Sequence, residues 1–305
     1  MRRTKEAGVF AYTDAEYHAD PSEVPSLSSH IAQLITRFSP LHAWTAHPRL
    51  NPNFESEEKE EFDWGRAAHD LLLRGEDKIV IVPFDSYRKA DAQAIRDQAR
   101  ADGKYPVLAH KVDRLYKMRD AAQAAIARCR HFAGLELAKA SIEETIIWED
   151  GQARCRARPD AWWQDIGMGF DYKTTENASP SSFSHRVPQL GYGFQMAFYL
   201  RGLRAVYGLE EPRYILMAQE SEAPFSCAFY EAAPTLVDVC EEEVERAIRT
   251  WEYCLTKDRW PGYDTKVIHA VEAPNWQLSE HMERIEARQG HPYDPAVLFG
   301  EQESA

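Results

Sequence analysis

The sequence predicts a mixed α/β protein, with a β-sheet that is antiparallel at its start and flanked by helices. Two observations carry this. Three strand candidates follow one another at 143–149, 154–163 and 170–175, the first two joined by the tight-turn pair Asp150-Gly151. Helix-period stretches lie on both sides of them, chiefly 62–73 before and 237–257 after. The 305 residues leave room for a sizeable core, and 44% hydrophobic with 28% charged residues is an ordinary globular composition.

Taken in order, Ser26, Ser28 and Ser29 offer N-caps for a helix through Ile31, Leu34 and Ile35, which Ser39-Pro40 ends. Residues 42–52 are rich in His, Pro and Asn and read as a loop. The helix over 62–73 has Trp64, Ala67, Ala68, Leu71 and Leu72 as its buried stripe. Residues 78–82 form a short apolar strand stopped by Pro83. From 86 to 140 the pattern is helical, with 91–101 and 114–127 separated by Gly103-Lys104-Tyr105-Pro106. Beyond the three strands and the turn at Gly167 and Gly169, Pro188 leads into a helix over 189–207 that Gly191 and Gly193 interrupt early. Strands at 214–219 and 228–232 and the helix at 237–257 complete the pattern. Three regions result: an N-terminal helical and loop extension (1–60), a core (61–260) with a helical insertion at about 86–140, and a polar C-terminal tail (261–305).

The net charge of −13 argues against a protein that coats nucleic acid by bulk charge, while leaving room for a local basic groove. Residues 111–158 hold ten Lys/Arg against seven acids. The five cysteines, Cys129, Cys155, Cys227, Cys240 and Cys254, are odd in number and never spaced CxxC. That argues against a disulfide framework or a zinc ribbon, and for a reducing, cytoplasmic setting. The basic start Met1-Arg2-Arg3 runs into Glu6 with no apolar stretch, so no signal peptide is expected. No apolar run approaches the roughly 18 residues of a spanning helix, so no membrane partner is expected.

The chemistry concentrates in Arg158-Pro159-Asp160 and Phe170-Asp171-Tyr172-Lys173-Thr174-Thr175. Alternation along a strand points Asp171 and Lys173 the same way. Asp160 sits near the end of the preceding strand, about 4.8 Å away in a sheet. Two carboxylates that close repel unless a cation lies between them, and hard oxygen ligands favour Mg²⁺ or Mn²⁺. A neighbouring lysine can orient a water or stabilise charge developing on a phosphate. Gln195 and Tyr199, four apart, share a face of the following helix and either bond each other or reach into the site. His69, on an apolar helix, is either a satisfied core residue or a nitrogen ligand. Arg154, Arg156 and Arg158 share the face of Asp160 by parity, as surface arginines or as contacts to a phosphate backbone.

Together these residues resemble the PD-(D/E)xK nuclease superfamily, and within it the RecE-type exodeoxyribonuclease VIII group of phage and prophage recombination nucleases. The matching pieces are Tyr17-His18, Ser39-Pro40-Leu41-His42, Gly65 with His69, the run from Cys155 to Asp160, Asp171 to Thr175, and Gln195 with Tyr199. They span about residues 17–220. The resemblance implies a restriction-endonuclease-like core and a metal-dependent exonuclease acting on linear duplex DNA in phage-type recombination or end processing. It implies His69, Asp160 and Asp171 at the metal, with Lys173 catalytic and Gln195 and Tyr199 in support. An acidic residue from the preceding strand, Glu143 or Glu144, completes the ligands. The family's single-strand annealing partners and homo-oligomers are further expectations, and the cysteine spacing excludes the iron–sulfur variant. Two other functions compete. One is an inactive DNA-binding accessory, against which the intact Asp160, Asp171 and Lys173 argue. The other is a hydrolase of small phosphate esters, for which the chain has neither a Gly-rich phosphate loop nor HExxH.

Overall fold

The computed structural model describes residues 3–55, 60–75 and 78–287. It begins with β1 (Gly8–Phe10) and α1 (Asp14–His18). A capping box starts the helix: the Thr13 hydroxyl accepts from the Glu16 amide, and the Glu16 carboxylate accepts from the Thr13 amide at 2.9 Å. β2 (Leu27–Ser28) runs directly into α2 (Ser29–Arg37), with Ser28 as its N-cap. The segment 42–52, expected as a loop, instead begins inside α3 (Pro40–Ala46). Pro40 stands in the first turn of that helix, where its fixed φ and missing N–H are tolerated. α4 (Glu60–Leu73) buries Ala67, Ala68, Leu71 and Leu72.

The region expected to be helical from 86 to 140 contains a strand. β3 (Ile79–Val82) pairs in parallel with β4 (Tyr105–Leu108); α5 (Ala90–Ala101) is the crossover and α6 (Ala109–Arg128) follows. Pro106 disguised β4, yet a two-stranded sheet is all edge, and an edge tolerates proline.

Next come β5 (Ser141–Ile142), β6 (Thr145–Asp150), β7 (Ala153–Ala157), β8 (Ala161–Trp163) and β9 (Met168–Thr175). The single strand expected over 154–163 is two. Pro159 cannot donate to a ladder, the chain breaks around it, and β7 and β8 enter different sheets. The helix expected over 189–207 is α8 (Tyr192–Tyr207), which starts only after Gly191 at φ +74°; that glycine separates it from a further helix, α7 (Pro180–Gln189), lying before the expected range. β10 (Arg213–Glu220), β11 (Cys227–Glu231) and α9 (Pro234–Lys257) complete the compact unit of residues 1–262. Residues 263–305 form a second unit with α10 (Asn275–Ala287). Among the described residues, no helix is long and apolar enough to cross a membrane.

One sheet has the order β1-β6-β7-β2 and a second has the order β11-β10-β9-β8-β5, with β9 parallel to β10 and antiparallel to β8. On one face of β9, Phe170 and Tyr172 pack with Ile215 and Met217 of β10 against Leu71 of α4 and Leu115 and Met118 of α6. On the other face, Tyr214 and Leu216 pack with Phe198, Tyr199 and Leu203 of α8. The helix lies close enough that a β-carbon on Gly202 would come within 2.6 Å of the Trp148 ring. β9 is thus held from both sides, which fixes the register of whatever it carries.

Candidate active site

Period two puts Gly169, Asp171 and Lys173 on the α8 face of β9, opposite the apolar Phe170 and Tyr172. Asp171 is held at 1% exposure. Its Oδ2 pairs with the Lys173 ammonium, which also stands 5.4 Å from the centre of the Tyr192 ring. Its Oδ1 accepts from the Tyr214 hydroxyl at 3.2 Å.

Asp160 arrives from the break between β7 and β8. Its Oδ2 accepts from the Tyr172 amide at 2.7 Å and lies 2.8 Å from His69 Nε2. The amide bond fixes the Asp160 carboxylate against β9, so the two aspartates meet across neighbouring strands. His69 projects from α4, and its Nδ1 faces Glu143 Oε1 at 3.7 Å. Glu143 occupies the link between β5 and β6 at φ +51°, a left-handed conformation that costs a non-glycine residue roughly 1–2 kcal/mol. The strand expected over 143–149 starts only at Thr145, so alternation does not decide between Glu143 and Glu144. The link turns Glu143 toward His69, Arg74 at 2.6 Å and Arg158 at 3.5 Å, and both Glu143 and Glu144 line the cavity of the site.

The two aspartates ionise differently. Burial pushes the Asp171 carboxyl up, and the nearby Asp160 charge pushes it further, to about 6, against the pull of Lys173. Burial opposes ionisation of Asp160 as well, but the His69 charge and hydrogen bond outweigh it and hold that carboxyl below its ordinary value. Burial alone would lower Lys173 and His69. Asp171 and Asp160 outweigh it at the lysine, and Asp160 at the histidine, so both are raised. This is the behaviour of like charges sharing a site of low dielectric. Carboxylates brought together, one reluctant to ionise through its burial and then through the charge of the other, form with an imidazole a donor set that a hard divalent cation fits.

These groups line a cavity of about 830 Å³. Gln195 and Tyr199 of α8 line it too, as do Tyr17 and His18 of α1. Ser39 and His42 bond each other instead, Oγ to Nδ1 at 2.7 Å.

Arg154 and Arg156 are a correction: they point into the fold, at 4% and 3% exposure. Arg154 pairs with Glu149 and donates to the Glu6 carbonyl. Arg156 donates to the carbonyl and, at 2.8 Å, to the hydroxyl of Ser26, and lies 3.4 Å from buried Asp20. The reason is that β7 is an inner strand of its sheet, bordered by β6 and β2, and the N-terminal segment supplies the partners of this face. Arg158, past the end of the strand, does line the cavity; it pairs with Asp14 and stands 4.9 Å from the centre of the Tyr17 ring.

Five further residues at the site escaped sequence reasoning: Asp14, Asp70, Arg74, Tyr192 and Tyr214. His69, Asp70 and Glu143 place ligand-type atoms within 4.8 Å of one another. Asp70 Oδ2 also accepts from Lys78 at 3.1 Å and from the Tyr105 hydroxyl at 2.9 Å. The available signal for Asp70 was its place beside His69. For Tyr214 it was strand register, since parallel pairing sets Tyr214 next to Gly169.

A mixed sheet flanked by helices, with two aspartates and a lysine gathered beside its central strand, defines a PD-(D/E)xK-type protein. The chain belongs to the family described as "PDDEXK-like domain of unknown function (DUF3799)", whose family model matches residues 43–270. No curated protein matches it. Among solved structures, a "Putative exonuclease" from Eubacterium rectale shares the fold at a TM-score of 0.52 and 12% identity, over 90% of this chain and 96% of that one. An alkaline exonuclease from Laribacter hongkongensis (TM-score 0.27, 14% identity, 76% of this chain and 100% of that one) is a looser likeness. So is a phage related exonuclease from Haemophilus somnus 129PT (TM-score 0.29, 12% identity, 63% and 95%). Neither of these two bears on the fold.

Proposed function

We propose that the protein is a divalent-metal-dependent exodeoxyribonuclease that hydrolyses phosphodiester bonds of linear DNA, in recombination or end processing of the phage type. The observation that carries this reading is the convergence of Asp160, Asp171 and Lys173 at one cavity of a PD-(D/E)xK fold. Asp160 and Asp171, with His69 and Glu143 beside them, would hold the Mg²⁺ or Mn²⁺. When bound, the ion neutralises phosphate charge and makes a water acidic enough to attack.

The chain's own groups do the rest. Lys173, kept charged by the two aspartates, holds the attacking water and meets the charge that builds on the phosphate oxygens. Water adds to phosphorus, the bond to the 3′ oxygen breaks, and that oxygen takes up a proton, leaving 5′-phosphate and 3′-hydroxyl ends. Tyr199 and Gln195 fix the α8 wall, and Arg158, paired with Asp14, lines the cavity with them.

The test is digestion of linear duplex DNA with Mg²⁺ or Mn²⁺ by the wild type and by the Asp160→Ala and Lys173→Ala variants. Wild-type digestion lost in both variants is expected. A wild type that cuts nothing, or variants that cut equally well, overturns the reading; DNA retained but uncut by the wild type would favour a binding accessory.

A further inference from the structure

We propose that Gly65 and Arg66 of α4 form a phosphate subsite, against which the backbone of the bound strand lies one helical turn from His69. The inference rests on the nuclease reading and adds to it the residues that seat the strand. Glycine inside a helix is unfavourable relative to alanine. Most other glycines of the fold have a visible reason. Gly169, Gly193 and Gly202 are each crowded by a neighbouring side chain, and Gly103, Gly167, Gly191 and Gly208 have a left-handed backbone. Gly65 has neither: among the described residues, a β-carbon placed on it would meet nothing within 4 Å, and its φ is not positive. The position lines the cavity, so the space left open is space on the substrate side.

Arg66 lines the same cavity and is exposed. The two other cavity arginines are engaged, Arg74 by Glu143 and Arg158 by Asp14. Arg66 has no hydrogen bond or ion pair to another described residue. A guanidinium with no partner among the described residues, beside a bare Cα, suits a phosphodiester: the fork takes two phosphate oxygens, and the absent side chain lets the sugar–phosphate chain close on the helix. Four residues of helix, about 6 Å, separate Gly65 from His69, whose Nε2 lies 2.8 Å from Asp160 Oδ2. A strand cut at the aspartates therefore passes this turn with a neighbouring phosphate. Such a contact positions the strand without reading its sequence.

The experiment compares wild type with Gly65→Ala, Arg66→Ala and Arg66→Lys. It reads thermal melting, anisotropy of a fluorescein-labelled oligonucleotide in EDTA across a salt series, and steady-state digestion with Mg²⁺. Gly65→Ala is expected to melt at or above the wild-type temperature, because alanine is the better helix former. It should nevertheless bind the oligonucleotide roughly five- to tenfold more weakly, as for one lost hydrogen-bonded contact, and raise KM more than it lowers kcat. Arg66→Ala should weaken binding similarly and flatten the slope of log affinity against log salt by about one, a slope that Arg66→Lys restores. Unchanged binding by Gly65→Ala, an unchanged salt slope in Arg66→Ala, or a wild type that binds no oligonucleotide overturns the subsite. A wild type that binds with these effects but cuts no DNA leaves the subsite standing and overturns the nuclease reading alone.

Discussion

The Tyr214 hydroxyl reaches Asp171 Oδ1 at 3.2 Å, across two parallel strands, because Gly169 leaves room for the Tyr214 ring. A β-carbon on Gly169 would come within 2.3 Å of that ring. A glycine in one strand thereby orients a buried carboxylate two residues further on.

Gly169→Ala should force the ring aside. We expect overpacking to cost about 1–3 kcal/mol and digestion to fall sharply. Tyr214→Phe keeps the ring and removes only the hydroxyl, so its stability should drop by about 1 kcal/mol with a smaller loss of rate. Melting and digestion of both variants check this; a Gly169→Ala variant as active as wild type contradicts the packing account.

Lys173 is the counter-charge of a carboxylate that is almost fully buried. Lys173→Met should cost roughly 3–5 kcal/mol at pH 7.5, the usual penalty for breaking a buried pair. The loss should shrink at pH 5, where Asp171 takes a proton and no longer needs a cation. Adding Asp171→Asn should restore stability but not digestion. Chemical denaturation at the two pH values measures this, and a pH-independent loss would show that the ion pair is not its source.

The metal-free protein should lose stability as pH rises between about 4 and 6. The folded Asp171 carboxyl is raised to about 6 from the ordinary 3.8, so across that window the folded state binds more protons than the unfolded one. Above it both states have lost the proton and the penalty is complete. Divalent metal should then raise Tm more at pH 7.5 than at pH 5, because metal and proton compete for the same carboxylate. Thermal scans with Mg²⁺ or Mn²⁺ and with EDTA decide it; equal metal shifts at both pH values would refute the competition.

Arg156→Met should destabilise the fold by about 3–5 kcal/mol by leaving Asp20 short of a buried partner. It should not change the salt slope of oligonucleotide binding. A flatter slope in folded Arg156→Met protein would mean that this arginine reaches the phosphate backbone after all.

The elements read best from sequence are those whose periodicity is long and local. α4 and α9 lie close to their predicted ranges, as does β9 with its alternation of Phe170 and Tyr172 against Asp171 and Lys173. β4 was hidden by its four residues and Pro106. The division of 154–163 was signalled by Pro159, whose meaning as a sheet boundary shows only once both sheets are assembled.

By itself the sequence determined that Asp171 and Lys173 face the same way and that Asp160 stands one strand away, because alternation along a strand is a property of the backbone. It also determined the helical spacing of Gln195 and Tyr199, and of Gly65 and His69. Only the tertiary structure decided that Glu143 faces His69 and Arg74, that Tyr214 orients Asp171, and that Arg156 is spent on Ser26, 130 residues away. The physical reason is one of range. Dihedral geometry sets which side of its own strand a residue takes, whereas what covers that side is brought there by distant segments through burial and hydrogen bonding.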